Sequence, residues 1–218
     1  MGIFLWILKS SKTELKIVLA TLAVLIMLPA FAVVVVASSG VQIVGDALAA
    51  VNPVTKLVEI FNPDGVKVAE LPISSTWPAR GYVSDEFGTW EQWRKDRWLG
   101  PHSGIDIANE RGLTGEPITP FSFGKIVYVD NDPAGDCGKT VKIDHGNNIN
   151  SQYCHLDSAV ELAGGTEVKP GDLIGYMGST GESTGPHLHF MVYVYGVAVN
   201  PRIFLTGEPT PTYAPITF

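Results

Sequence analysis

The chain has 218 residues, 45% of them hydrophobic, and a formal net charge of −7 at pH 7. That is room for one domain of ordinary size plus something smaller, with the apolar share of a globular protein. The acidic balance argues against nucleic acid as the partner, because phosphate binding needs a basic face.

In chain order, the first element is "IVLATLAVLIMLPAFAVVVVA", residues 17–37, which carries no charge. At ~1.5 Å per residue, a helix of that length spans the ~30 Å hydrocarbon core of a bilayer. Pro29 would kink it, which a membrane helix tolerates better than a soluble one. The run exceeds the ~7–15 residues of a signal-peptide core. An uncleaved anchor is therefore expected rather than a cleaved leader, although the small residues Ala37, Ser38 and Ser39 follow it. Lys9, Lys12 and Lys16 precede the run, and no basic residue follows until Lys56. The positive flank stays inside. Residues 1–16 are then a cytoplasmic N-terminus, 17–37 a single-pass transmembrane helix, and the rest extracytoplasmic, in the periplasm or cell wall. That exported part holds 12 basic and 21 acidic residues.

Residues 38–81 read as a tether with a short β-hairpin. Its first stretch, 38–52, is small and apolar and reads as a tether or a short helix near the membrane surface, and "LVEIFNPDGVKVAEL" gives two strands around an Asn-Pro-Asp-Gly turn. From 82 to 205, glycines and prolines punctuate short β-rich runs such as "KIVYVD", "KTVKID" and "LIGYMG". No 3.6-residue apolar period is sustained there, so this is an all-β domain. Residues 206–218, rich in Pro and Thr, are expected to trail loosely.

The cysteines, Cys137 and Cys154, fall in the exported, oxidising part. Between them, "KTVKIDHGNNINSQY" reads as strand, turn at 145–148, strand, which brings Cys137 close to the position opposite Cys154. A disulfide is expected. Two free buried thiols are the alternative, because register is not set by sequence alone.

Chemistry concentrates on histidine. In "STGPHLHF", residues 183–190, His187 and His189 stand at i and i+2 and so project from one face of a strand, with Leu188 and Phe190 on the other. In "HSGID", His102 and Asp106 share parity, and imidazole plus carboxylate is a common zinc ligand set. In "YCHLD", His155 shares parity with Tyr153 while Cys154 points the opposite way, which separates His155 from the expected disulfide. His145, in the hairpin turn, reads as structural. A catalytic zinc takes three protein ligands and leaves one position open, and these residues supply enough donors.

The order "HSGIDIA", "GKIVYV", "GKTVKIDHGN", "YCHL", "VKPGDLIGYMGSTGESTGPHLHF" resembles the lysostaphin-type zinc metalloendopeptidases, which cut peptides of bacterial peptidoglycan. The resemblance covers residues 82–205. It implies a compact antiparallel sheet domain with a substrate groove across one face, and one Zn2+ per chain held by His102, Asp106 and His189. It implies that His155 and His187 are catalytic, polarising the attacking water and supporting the tetrahedral intermediate. It also implies hydrolysis of cross-links or stem peptides through a metal-activated water. The anchor suits either remodelling of the cell's own wall or local opening for a secretion or conjugation machinery.

One segment departs from the commoner pattern. "TWEQWRKDRWLGP", residues 89–101, reads as a long loop at the groove rim, where Trp90, Trp93 or Trp98 could meet substrate or instead cap the sheet's core. An inactive wall-binding or regulatory module of the same fold is the alternative function. A cysteine hydrolase built on Cys154 fails on geometry, because neighbouring strand residues face opposite ways.

Overall fold

The computed structural model describes residues 44–74, 76–96 and 100–212, and of Trp93 only the backbone. The expected transmembrane helix at 17–37 and the segment before it lie outside the described residues. Among the described residues, no helix is long and apolar enough to cross a membrane.

The β-rich punctuation seen in the sequence becomes three antiparallel sheets. β1 (Ala49–Val51), β2 (Leu57–Phe61) and β3 (Lys67–Pro72) form the first, in that order. After β4 (Tyr82–Asp85) comes a short helix, Gln92–Asp96, then β5 (Ile105–Ala108), the brief β6 (Pro117–Ile118) and β7 (Gly124–Asp130). The hairpin β8 (Thr140–Asp144) and β9 (Ile149–Cys154) is followed by β10 (Leu156–Ala159), β11 (Glu167–Val168) and β12 (Gly175–Met177). β13 (Leu188–Val194) and β14 (Val197–Val199) complete the set. The main sheet runs β11-β7-β8-β9-β13-β5-β4, with β14 pairing the far half of β13, while β10, β12 and β6 form the third sheet.

Strand parity sorts the main sheet into an apolar and a polar face. On β13, Leu188, Phe190, Val192 and Val194 are fully buried. They join Ile105 and Ile107 of β5, Val141 and Ile143 of β8, and Tyr153 of β9 in one core layer. Ile118, Leu156 and Met177 close it from the third sheet, and Phe121 meets Phe190 and Phe204 edge to face. Each large apolar side chain so buried stabilises the fold by about 1.5–3 kcal/mol. The opposite face carries His189 and Asp106, and the core holds it in place.

Two terminal segments are more ordered than their composition suggests. Within residues 44–51, read as tether, there is a helical turn and then β1, which pairs with β2 from Ala49↔Ile60 to Val51↔Val58. Leu48, Ala49, Val58 and Ile60 are buried in the same core cluster as Val199 and Phe204. Residues 206–212, read as a loose tail, are tied down. Gly81 N–H donates to Thr210 O at 2.9 Å, Arg80 donates to Pro211 O at 2.8 Å, and Thr212 bonds to Glu110. Backbone groups with fixed partners do not trail, whatever their Pro content.

His145 has the structural role read for it. Its Nδ1 lies 2.7 Å from Phe123 O, and its Nε2 lies 2.7 Å from Ser151 Oγ, with Phe121 packed edge-on against the ring. The imidazole therefore clips the 121–124 loop to the hairpin. Burial, the largest influence on it, outweighs the Phe123 carbonyl and Asp144 and lowers its pKa below the usual 6.5. The unfolded chain thus binds the His145 proton at higher pH than the folded one. The resulting stability is complete above about pH 6.5 and is lost as pH falls through the folded value. Melting temperature followed from pH 7.5 to 5 should fall more steeply in the native chain than in His145→Gln; equal slopes would remove His145 from this role.

Candidate metal centre

Antiparallel register brings the first two polar groups together. His189 on β13 lies opposite Asp106 on β5, and on its other side opposite Cys154 on β9. Facing residues of paired strands hold their Cβ atoms ~4.5–5.5 Å apart on one face, and here His189 Nδ1 reaches Asp106 Oδ1 at 2.8 Å. His102 arrives differently, from the loop ahead of β5. Its N–H donates to Thr89 O at 2.8 Å, its carbonyl accepts from Gly88 N–H at 2.9 Å, and its Nδ1 lies 2.9 Å from Glu86 O. A proton on Nδ1 satisfies that carbonyl and leaves the Nε2 lone pair turned inward. His102 Nε2 then stands 3.0 Å from His189 Nδ1 and 3.1 Å from Asp106 Oδ1.

Three donor atoms of His102, Asp106 and His189 thus converge, and among the described residues this trio is the His/Asp set whose geometry could hold a metal ion. The lone pair of His102 Nε2 faces a carboxylate oxygen, a meeting of two acceptors that needs a cation between them. Ligands around a tetrahedral zinc at ~2.0–2.1 Å stand about 3.4 Å apart, close to the spacing found. Burial by itself would raise the Asp106 pKa, but the facing His102 and His189 imidazoles outweigh it and hold the carboxyl well below the usual range. The donor set fits zinc.

Behind His102 stands Asp85, with Oδ2 3.4 Å from His102 Nδ1. Arg202 grips Glu86 with Nη2 and Nε at 2.7 and 3.2 Å, fastening the turn whose carbonyl orients His102. Sequence reasoning passed over both Asp85 and Glu86. "SDEFG" ahead of a Trp-rich insert was the available signal, and Gly88 at φ 79° is the turn residue in it.

The two remaining histidines close over the trio. His155 packs edge to face on His187 with ring centroids 4.8 Å apart, and lies 5.7 Å from His189. Strand parity assigned His155 to Tyr153's face and Cys154 to the other, and the structure corrects this. Tyr153 is in the core, whereas His155 and Cys137 both line the cleft beside His187. The reason is a left-handed kink, φ 62° at His155, between β9 and β10. It breaks alternation and turns His155 to the side of His189 and Cys154. The expected disulfide Cys137–Cys154 is present, adjoining the cleft rather than apart from it.

Backbone carbonyls orient both rings. His155 Nδ1 lies 2.8 Å from Thr180 O, and His187 Nδ1 lies 2.7 Å from Gly185 O. Each ring therefore keeps its N–H on the carbonyl and offers Nε2 to the cleft. Burial first, then the neighbouring His187 and His189, push the His155 pKa down to about 4. His155 is thus neutral and able to accept a proton near pH 7. Both carbonyls belong to the glycine-rich loop 178–186. A Cβ on Gly181, at φ 71°, would lie 2.4 Å from Gly138 N, so the loop can sit against 135–138 only with glycine there.

Two variants test the geometry. A Cβ on Gly104 would meet Phe190 O at 2.4 Å and the His189 ring at 3.0 Å. Gly104→Ala should push the His102 loop off β13 and weaken zinc binding at least about tenfold in chelator competition; undiminished affinity would show that this close approach is dispensable. Replacing Cys137 and Cys154 together by alanine frees a 17-residue separation. The loss should be about 3 kcal/mol of stability, measured by denaturant unfolding, and a change under about 1 kcal/mol would contradict it.

Residues 100–201 match the model of peptidase family M23. The DD-carboxypeptidase/endopeptidase Mpg of Neisseria meningitidis is 38% identical over 113 residues, 52% of this chain and 25% of that protein. The murein hydrolase activator NlpD of Escherichia coli is 37% identical over 135 residues, 62% of this chain and 32% of that protein. The chain thus spans about a quarter to a third of the length of these relatives. Among solved structures, a zinc containing peptidase from Vibrio cholerae superposes with a TM-score of 0.50 at 26% identity, covering 70% of this chain and 47% of that one. Residues 100–201 are thus a peptidase family M23 domain, of the lysostaphin type.

Proposed function

We propose that the protein is a zinc-dependent endopeptidase that hydrolyses peptide cross-links or stem peptides of bacterial peptidoglycan. One observation carries the reading: His102 Nε2, Asp106 Oδ1 and His189 Nδ1 converge within 3.1 Å, with His155 and His187 beside them in one cleft. In this reading His102, Asp106 and His189 hold one zinc ion. A zinc ion so held would lower the pKa of a water to ~7 and polarise a carbonyl.

The chain's own residues do the rest. His155 Nε2, neutral and unprotonated, takes a proton from the attacking water as it adds to the scissile carbonyl. The same nitrogen returns that proton to the departing amine as the C–N bond breaks. His187 Nε2, 3.6 Å from Asp106 Oδ2, adjoins the position where negative charge builds on the carbonyl oxygen. Thr180 and Gly185 carbonyls hold both rings through the turnover. The proposal includes the anchor at 17–37, which would hold the catalytic domain on the extracytoplasmic face.

A non-catalytic wall-binding or regulatory module is the competing reading, and the likeness to a murein hydrolase activator favours it. Against it, the His102–Asp106–His189 trio and both cleft histidines are present together. His189→Ala and Asp106→Ala should each abolish bound zinc and hydrolysis of purified peptidoglycan. His155→Ala should keep most of its zinc and lose at least about a hundredfold in rate. Zinc bound by the native chain without cleavage of any wall type would move the assignment to the module. An active His155→Ala enzyme would refute the proton-transfer role.

A further inference from the structure

The open face of the main sheet continues past the candidate metal centre. Met191 on β13 faces Gln152 on β9, Gln152 faces Lys142 on β8, and Lys142 faces Tyr128 on β7. Directly opposed residues of paired strands share one side of a sheet, so this row stands on the side of His189 and not in the core. One row further out, Tyr193 on β13 faces Asn150 on β9. Met191, Gln152 and Tyr193 line the cleft that holds His155, His187 and His189. The row therefore carries the cleft floor outward as far as Tyr128.

Polar contacts join the members of this surface. Gln152 Nε2 donates to Tyr128 Oη at 3.3 Å and lies 3.3 Å from the Cys137 sulfur. Lys142 Nζ lies 5.3 Å from the centroid of the Tyr193 ring, and the Tyr193 hydroxyl donates to Met191 Sδ at 3.0 Å. Among the described residues, Lys142 meets that ring and no carboxylate within ion-pair distance. Tyr128 is 40% exposed, so much of its ring is open to a ligand. The groups are amphipathic: two phenols, an amide, and an aliphatic stem ending in one ammonium. A protein partner wants an apolar centre and a polyanion wants several cations. This surface has neither, and the exposed Asp130 and Asp144 follow Tyr128 and Lys142 at two residues' distance. A sugar suits it. One side of a pyranose ring is a layer of C–H groups that packs on an aromatic ring, and its hydroxyl and acetamido groups bond to amides and ammonium.

The reach matches as well. Strands ~4.8 Å apart and residues ~3.4 Å apart along them put Tyr128 roughly 16 Å from His189. A stem peptide carries its sugar about four or five residue lengths from the bond at its far end, about 13–18 Å when extended. We propose that Tyr128 and Lys142, with Gln152 and Tyr193 beside them, bind the N-acetyl amino-sugar glycan to which the cleaved peptide is attached. The inference rests on the peptidoglycan reading above and adds to it a saccharide site beyond the metal centre.

The test uses the full zinc-loaded chain, a cross-linked disaccharide-peptide dimer, the same dimer without its sugars, and chitotetraose. The native chain should favour the sugar-bearing dimer by about threefold to tenfold in kcat/KM, nearly all of it through KM. Tyr128→Ala and Lys142→Met should each bring that ratio towards one, with the sugar-free dimer cleaved at the native rate. Tyr128→Phe keeps the ring and should keep most of the ratio. A native ratio near one overturns the proposal. So does a Tyr128→Ala chain that cleaves both dimers more slowly by the same factor, the result expected if the phenol only braces Gln152. Calorimetric titration with chitotetraose reads the site without catalysis: the native chain should bind it and Tyr128→Ala should not. Binding that survives Tyr128→Ala, or no binding by the native chain, overturns the site. Chitotetraose bound through Tyr128 by a chain that cleaves neither dimer sinks the endopeptidase reading and keeps the glycan site.

Discussion

The register between β5 and β13 is the constraint from which the rest follows. Asp106 faces His189 because Ile107 faces Leu188 and Ile105 faces Phe190 in the same ladder. All four apolar residues are fully buried. A slip of one residue would put Asp106 in the core and Ile105 or Ile107 in the cleft. The polar pair does not have to supply the energy of its own assembly. Four apolar side chains on the reverse face enforce it, at about 1.5–3 kcal/mol each. A carboxylate and an imidazole can therefore be held with inward-facing lone pairs, an arrangement that would not form in an isolated peptide.

Backbone carbonyls then decide what the histidines can do. Glu86 O, Thr180 O and Gly185 O each occupy Nδ1 of one ring, those of His102, His155 and His187. A carbonyl cannot change its charge, so the tautomer it selects holds across the pH range in which the ring is neutral. The loops carrying those carbonyls are built for close approach. Gly181 and Gly138, both at positive φ, let the 178–186 and 135–138 loops touch backbone to backbone, and Cys137–Cys154 fastens the second of these beside His155. His155 N–H donates to Cys137 O at 2.8 Å, so the disulfide loop and the kinked histidine form one unit.

How far the sequence foretold this depended on where each residue sits relative to a regular strand. His187 and His189 were legible as a pair because β13 keeps strict alternation through Val194, and the 140–154 hairpin was legible from its turn residues. His155 reached the cleft for a reason that parity could not express, since a non-glycine residue at φ 62° is set by tertiary context. His102 was found by residue type, yet its support from Glu86 and Asp85 came from a turn whose partners are distant in sequence. β1 and the 206–212 segment were underestimated for a related reason. Each is held by pairing with a remote strand or loop, and small apolar or Pro-rich composition carries little trace of that. Arg94 was inside a segment singled out for its tryptophans, and its guanidinium lines the cleft.

The acidic composition and the site make opposed demands that the fold reconciles locally. Carboxylates around the cleft favour a divalent cation and, over a screening length of ~8 Å at physiological salt, discourage any anion. A metal centre in such surroundings would select neutral or cationic peptides by default. Asp85 lies between His102 and Arg94, 3.4 Å from one side chain and 3.8 Å from the other. It can balance a positive charge on either side. Without that carboxylate, a guanidinium near the trio would compete with the metal for its field. With it, one carboxylate steadies both the imidazole that faces the trio and the guanidinium that lines the cleft.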